Sequence, residues 1–171
     1  MSRGVVVWLT GLPRSGKSML ADAVRAALVA RGRTPVVLDG DAVRVALVPP
    51  PGYDPEGRDA FYATLGNLAA LLAHQGHVVV VPATAHKRAY RDAARAQAPA
   101  FIEVHVASSL AECKEHDRAG LYSSAARAAL PGVGIAYEAP AAPEVIASGG
   151  EDRRALDAVV ARIEEVCHGI A

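Results

Sequence analysis

The stretch Val5-Val6-Val7-Trp8-Leu9-Thr10-Gly11-Leu12-Pro13-Arg14-Ser15-Gly16-Lys17-Ser18 decides the reading of this 171-residue chain. Its first six residues are an apolar, β-branched run, the composition of a buried strand. Its last eight follow the pattern GxxxxGK[ST]. Beyond it, Leu20, Val24 and Leu28 recur at helical spacing and predict a helix over 18–31, stopped at Gly32. Strand, glycine-rich loop and helix in that order form a cradle for a polyphosphate. Gly11 and Gly16 permit backbone angles and close approaches that a β-carbon blocks. Loop amides and the helix N-terminus then face the anion. Lys17 reaches the β- and γ-phosphates, and the hydroxyl of Ser18 is a hard oxygen suited to magnesium. Gly11, Pro13, Arg14, Ser15, Gly16, Lys17 and Ser18 are therefore the candidate nucleotide-binding residues, with ATP and Mg2+ as the implied cofactors. The pattern alone does not separate kinases from GTPases, ATPases or sulfotransferases. No GTPase base-recognition motif follows, and one loop in a chain of this size favours a small-molecule kinase.

Strand and helix signals alternate outward from the loop, the pattern of an α/β domain with a parallel sheet. Further strands are expected over 35–38, 77–81 (the most β-branched run, read as central) and 101–106. Val145-Ile146 is too short to assign with the same force. Helices are expected over 41–47, 56–75 with Gly76 as C-cap, 87–97, 110–117 and 152–167. The segment 118–143, rich in Ala, Gly and Pro, has no stable period. It reads as a loop with at most one helix, and roughly 118–137 as a mobile lid able to exclude water. No repeat or linker divides the chain, so 1–171 reads as one domain.

Composition excludes other classes. Lys+Arg and Asp+Glu are each 18, for zero net charge, which does not suit a nucleic-acid coat or a polybasic membrane binder. With 51% hydrophobic residues the chain is not a disordered one. No apolar run approaches the ~18 residues of a membrane span. The start, Met1-Ser2-Arg3 and an apolar run, resembles a signal peptide only until Gly11, Pro13, Arg14 and Lys17 interrupt it. Two cysteines, Cys113 and Cys167, form no metal spacing and no disulfide framework. A cytoplasmic protein with a small-molecule partner is expected, with no nucleic acid and no membrane.

Ligands of parallel sheets bind beyond the carboxyl ends of the strands. The second strand ends at Asp39-Gly40-Asp41, with Arg44 one helical turn on. Asp41 is the candidate general base, taking a proton from an acceptor hydroxyl or holding magnesium through water, and Asp39 orients it or shares the metal's water shell. Asp41 also suits the N-cap of the helix that follows. Arg44, Arg58 and Arg88 lie near strand ends or helix starts, where the guanidinium fork suits phosphate or sulfate. Each alone reads equally as a solvated surface arginine. Arg118 or Arg127 is the charge a lid brings in, and His86 lies near the third strand end.

In order along the chain, Val7-Trp8-Leu9-Thr10-Gly11-Leu12 into Gly16-Lys17-Ser18, Val37-Leu38-Asp39-Gly40-Asp41 with Arg44, Phe101-Ile102-Glu103-Val104, Asp117 with Gly120-Leu121-Tyr122, and Tyr137-Glu138-Ala139-Pro140 resemble the adenylylsulfate kinase family. The resemblance implies a P-loop NTPase-type sheet of five parallel strands with helices on both faces. It implies MgATP as donor, a homodimer, and phosphorylation of the 3′-hydroxyl of adenosine 5′-phosphosulfate in sulfate assimilation. Asp41 falls on the family's base, Arg44 and Arg58 on acceptor-binding arginines, and Arg88 on the arginine after a Ser-Pro-aromatic stretch.

The chain departs from the family mainly in the acceptor half. Ala42 replaces an asparagine, and Phe61, Ala63 and Thr64 replace an asparagine and two arginines. Ala85 and His86 replace serine and proline, and Ala119 and Ser123 replace lid lysines. Pro131-Gly132-Val133-Gly134 loses a carboxylate. Phe61 is a candidate wall for the acceptor or a core residue in register with Leu65 and Leu68. Three functions follow: an adenylylsulfate kinase with an unusual acceptor site, a kinase of the same fold with a changed acceptor, or a nucleotide-binding regulator with little turnover.

Overall fold

The computed structural model describes residues 3–169; the Met1-Ser2 start and the last two residues of the 1–171 span lie outside the described residues. Strand β1 (Val5–Thr10) is buried along its whole length, as its unbroken apolar run requires. It pairs in parallel with β3 (Val78–Pro82) on one side and β4 (Phe101–Val106) on the other. Strand β2 (Val36–Val37) lies outside β3, and β5 (Val145–Ala147) outside β4. The order is β2-β3-β1-β4-β5, all parallel. The centre is thus β1, and the β-branched run at 78–82 is interior but off-centre. The pair Val145-Ile146 does form a strand, because Val145–Ala147 extends the ladder alongside Val104–Val106.

The helices are α1 (Lys17–Val29), α2 (Gly40–Ala46), α3 (Pro55–His74), α4 (Arg88–Gln97), α5 (Leu110–Glu115) and α6 (Arg153–His168). Successive strand residues point to opposite faces, so β1 feeds two cores. Val5, Val7 and Leu9 pack against Leu20, Val24 and Leu28 of α1 and Val159 and Ile163 of α6. Val6 and Trp8 pack against Phe61, Leu65 and Ala69 of α3 and Ala94 of α4. Helices therefore cover both faces. Helix α3 is capped by Gln75 rather than by the expected Gly76, and Gly76 is the left-handed residue, at φ 92°, that lets the chain turn back.

A buried ion pair fixes the β3–α4 connection. Arg91 Nε donates to Glu103 Oε1 at 2.7 Å, with both side chains almost fully buried. The same guanidinium donates to the carbonyls of Ala85 and Glu138, tying the end of β3 to the chain leaving the 118–137 segment. Arg91→Ala would strand the Glu103 carboxylate with only the longer 3.5 Å contact to Arg95. A loss of ~3 kcal/mol or more is expected in a urea melt, since a buried charge left without its partner costs that much. A loss under ~1 kcal/mol would show that Arg95 takes over the pairing.

The 118–137 segment is folded over the sheet's carboxyl end. Two short 3-10 turns, Leu121–Ser123 and Ala125–Ala129, replace the single helix allowed for it, and Pro131 bridges to Ile135. These turns are three and five residues long and bury only Tyr122, so no helical spacing of apolar residues marks them in the sequence.

Candidate active site

The carboxyl ends of the strands open into a cleft of about 1240 Å³. That exceeds the ~300–1,000 Å³ of an ordinary single-ligand site and gives room for two molecules. One end is the phosphate loop. Gly16 stands at φ 99°, and a β-carbon there would lie 2.5 Å from the backbone nitrogen of Gly150. A β-carbon on Gly11 would lie 2.5 Å from the Val106 carbonyl. Helix α1 starts at Lys17 with no side-chain cap and no acidic residue in its first turn, so its N-terminus is left to an incoming anion. Pro13, Arg14, Ser15, Gly16, Lys17 and Ser18 line the cleft. Gly11 lies behind them and presents its carbonyl to Lys17.

The Lys17 ammonium donates to the carbonyls of Gly11 and Leu12 at 3.0 and 2.7 Å. Burial pulls its pKa from 10.5 down to about 8, against the raising influence of Cys113, Asp41 and Asp39 nearby. A polyphosphate beside it favours the charged form and raises the pKa again. Above pH 8 the free protein holds this lysine increasingly neutral, so binding must take up a proton, and affinity must fall as pH rises through that range. Titration calorimetry of a nucleoside triphosphate at pH 8.5, in buffers of different ionisation enthalpy, is expected to show this uptake in the wild type and not in Lys17→Ala. Equal heats in all buffers would rule it out.

Across the cleft, Asp39 rather than Asp41 caps α2, which corrects the alternative placing of the cap. Its Oδ1 accepts from the backbone amides of Asp41 and Ala42 at 3.0 and 3.2 Å, and its Oδ2 accepts from Ser18 Oγ at 3.0 Å. Both oxygens of Asp39 are engaged. The carboxylate of Asp41 is spared the cap and stands exposed on the cleft wall.

Arg44 and Arg58 are buried, 6% and 8% exposed, yet both line the cleft. Arg44 Nη1 donates to the carbonyls of Pro51 and Gly52, and the guanidinium lies 3.9 Å from the ring centre of Phe61 and 4.3 Å from that of Tyr53. Arg58 Nε donates to Tyr53 O, and its Nη2 to Ala129 O on the 118–137 segment, both at 2.7 Å. Neither takes part in any ion pair recorded among the described residues. They are not the solvated surface arginines their sequence positions equally allowed. Phe61 meets both of its readings, because it belongs to the core under β1 and also lines the cleft.

Arg88 is not brought to the site. It is exposed, donates from Nε to Ala139 O and from its amide to Glu138 Oε2, and does not line the cleft. Its donors are spent on residues some fifty positions away, which its neighbours in sequence do not reveal. His86 is likewise packed outside the lining, against Tyr62 and Tyr90, with Nδ1 lacking a hydrogen-bond partner. Arg118 lines the cleft and Arg127 does not. Sequence reasoning missed Tyr53, Tyr62 and the turn 148–151, all in the lining. The adjacent glycines 149 and 150 were the available signal: a β-carbon on Gly150 would lie 2.8 Å from the Gly16 carbonyl.

The family model for adenylylsulphate kinase matches residues 3–148. The chain belongs to the adenylylsulphate kinase family. It is 39% identical over 146 residues to an adenylyl-sulfate kinase of Microcystis aeruginosa, covering 84% of this chain and 81% of that one. It is 38% identical over 168 residues to a probable bifunctional SAT/APS kinase of Sorangium cellulosum, covering 95% of this chain and 29% of that longer protein. Among solved structures it resembles the Mycobacterium tuberculosis APS kinase CysC in complex with AMPPNP and APS. There the TM-score is 0.82 and the identity 30%, over 98% of this chain and 99% of that one. The five-stranded parallel sheet is thus that of this kinase family. None of the described helices is long and apolar enough to cross a membrane.

Proposed function

We propose that this chain is an ATP-dependent adenylylsulfate kinase, transferring the γ-phosphoryl group of ATP to the 3′-hydroxyl of adenosine 5′-phosphosulfate. One observation carries the reading. The phosphate loop with Lys17, the exposed carboxylate of Asp41, and the buried guanidiniums of Arg44 and Arg58 open onto a single cleft. Two buried cations without a carboxylate partner are costly unless an anion arrives, and the acceptor's phosphate and sulfate are such anions. The loop and the N-terminus of α1 hold the donor phosphates, and Lys17 offsets the charge that spreads over the transferring group. Asp41 accepts the hydroxyl proton. The 118–137 segment is the lid, excluding water while Arg58 ties it to the Tyr53 loop.

Magnesium suits the residues present. Ser18 Oγ and Asp39 Oδ2 are neighbouring hard oxygens beside the loop. Among the described residues no group of three or more His, Cys, Asp or Glu could hold a metal ion, which fits an ion carried in by its phosphates. When bound, it neutralises phosphate charge. The chain acts as one kinase unit, and a cytoplasmic setting agrees with two buried free thiols. Self-association as a homodimer belongs to the same reading and is read by sedimentation velocity.

A second reading, a kinase for another hydroxyl acceptor, draws on the Phe61 ring that occupies one side of Arg44 and the carbonyls that occupy its Nη1. The test is ADP release from MgATP with adenosine phosphosulfate or with a panel of hydroxyl compounds, Lys17→Ala serving as blank. Release with adenosine phosphosulfate is expected. Release only with another acceptor selects the second reading, and nucleotide binding without turnover would make the chain a regulator.

A further inference from the structure

Arg14 sits in the phosphate loop at φ 63°, one of two positive-φ non-glycine residues among those described. Glycine would hold that backbone without strain, so the side chain has to supply something in return. Its Nε lies 3.5 Å from Asp117 Oδ1, an oxygen that is buried and has no hydrogen-bond partner. The other oxygen of Asp117 accepts from the Tyr122 amide at 2.7 Å, holding the lid's first turn. Tyr122 returns the connection, its hydroxyl donating to the Pro13 carbonyl at 2.6 Å. Gly132, further along the lid, packs so closely on Leu12 that a β-carbon would lie 2.5 Å from its side chain. Residues 12–14 thus meet the lid at three points, and the charged one is the strained one.

We infer that Arg14 is a positioning residue that acts through Asp117, fastening the root of the lid to the loop that holds the donor phosphates. The lid is then set relative to the transferring phosphoryl group by the loop itself, and loss of that link loosens the lid's root and lets water in more readily. The catalytic part of this inference rests on the kinase reading above; the positional part does not.

Arg14→Gly separates the two roles the residue could have, because it relieves the backbone and removes the ion pair together. The full chain is digested lightly with trypsin, and cleavage after the exposed Arg127 and Arg118 is followed by mass spectrometry. Expected for Arg14→Gly is several-fold faster cleavage at these lid sites, with an unchanged or higher Tm. Asp117→Asn is expected to do the same, and the double variant no more than either single one. Arg14→Lys is expected to restore protection. With acceptor present, Arg14→Gly should release more ADP per phosphoryl group transferred, as water competes in a looser site. Lid cleavage unchanged in both single variants would overturn the inference, as would additive effects. A lowered Tm with cleavage throughout the chain would also overturn it, by making Arg14 a residue of the fold. If the wild type transfers nothing to adenosine phosphosulfate, the kinase reading fails while the digestion still decides the link.

Discussion

Lys17→Ala is expected to lower phosphoryl transfer by about 10³-fold, the scale seen when one preorganised charge or donor is removed from a developing anion. Much of the donor binding should survive. The tight backbone at Gly11 and Gly16 and the uncapped N-terminus of α1 do not depend on this side chain. The fold should survive too, or gain, since the Lys17 ammonium is held at a lowered pKa by its own burial. The measurement is single-turnover transfer beside nucleotide affinity. A rate within tenfold of wild type would remove Lys17 from the charge-stabilising role.

Asp41→Asn is expected to cut kcat by ~10²–10⁴-fold with nucleotide affinity nearly kept. Asp41 is already the base expected from the sequence, and the cap of α2 adds a geometric reason to prefer it to Asp39. Asp39 spends Oδ1 on two backbone amides and Oδ2 on Ser18, so both of its oxygens are already engaged, whereas the Asp41 carboxylate stands exposed on the cleft wall. Asp41 differs from asparagine at the same site only in charge and in its ability to take a proton, so packing and the cap of α2 stay as they are. A fall confined to KM for the acceptor would make Asp41 a binding group, and an unchanged rate would leave the base elsewhere.

Much of the fold was legible because its signals are local. The β-branched run 5–10 and the alternating run 101–106 became strands with those bounds, and Leu20, Val24 and Leu28 became the buried stripe of α1. The three-residue β5 was only faintly legible, since its support, the ladder of β4 and the core beneath α6, comes from residues distant in sequence. Of the site, the loop and the Asp39-Gly40-Asp41 turn could be read from residue type and spacing. Arg88 could not be excluded that way, because its contacts with Glu138 and Ala139 span some fifty residues of sequence. The 148–151 turn left a faint signal in its paired glycines, and its place beside Gly16 is set by the fold.

The sequence by itself determined the parallel α/β class and the polyphosphate cradle, because strand patterning and a glycine-lysine-serine loop act over a few neighbouring residues. Set against the family it resembles, the sequence also departs at Phe61, Ala63, Ala119 and Ser123, positions the resemblance assigns to the acceptor side. Tertiary structure alone decided which charges serve the cleft. Arg44 and Arg58 became buried cations facing it, Asp39 became the cap and freed Asp41, Arg88 was drawn off to Ala139, and Arg14 was paired with Asp117. The reason is that a side chain's charge is put to use by its desolvation and its partners, and both are set by residues distant in sequence.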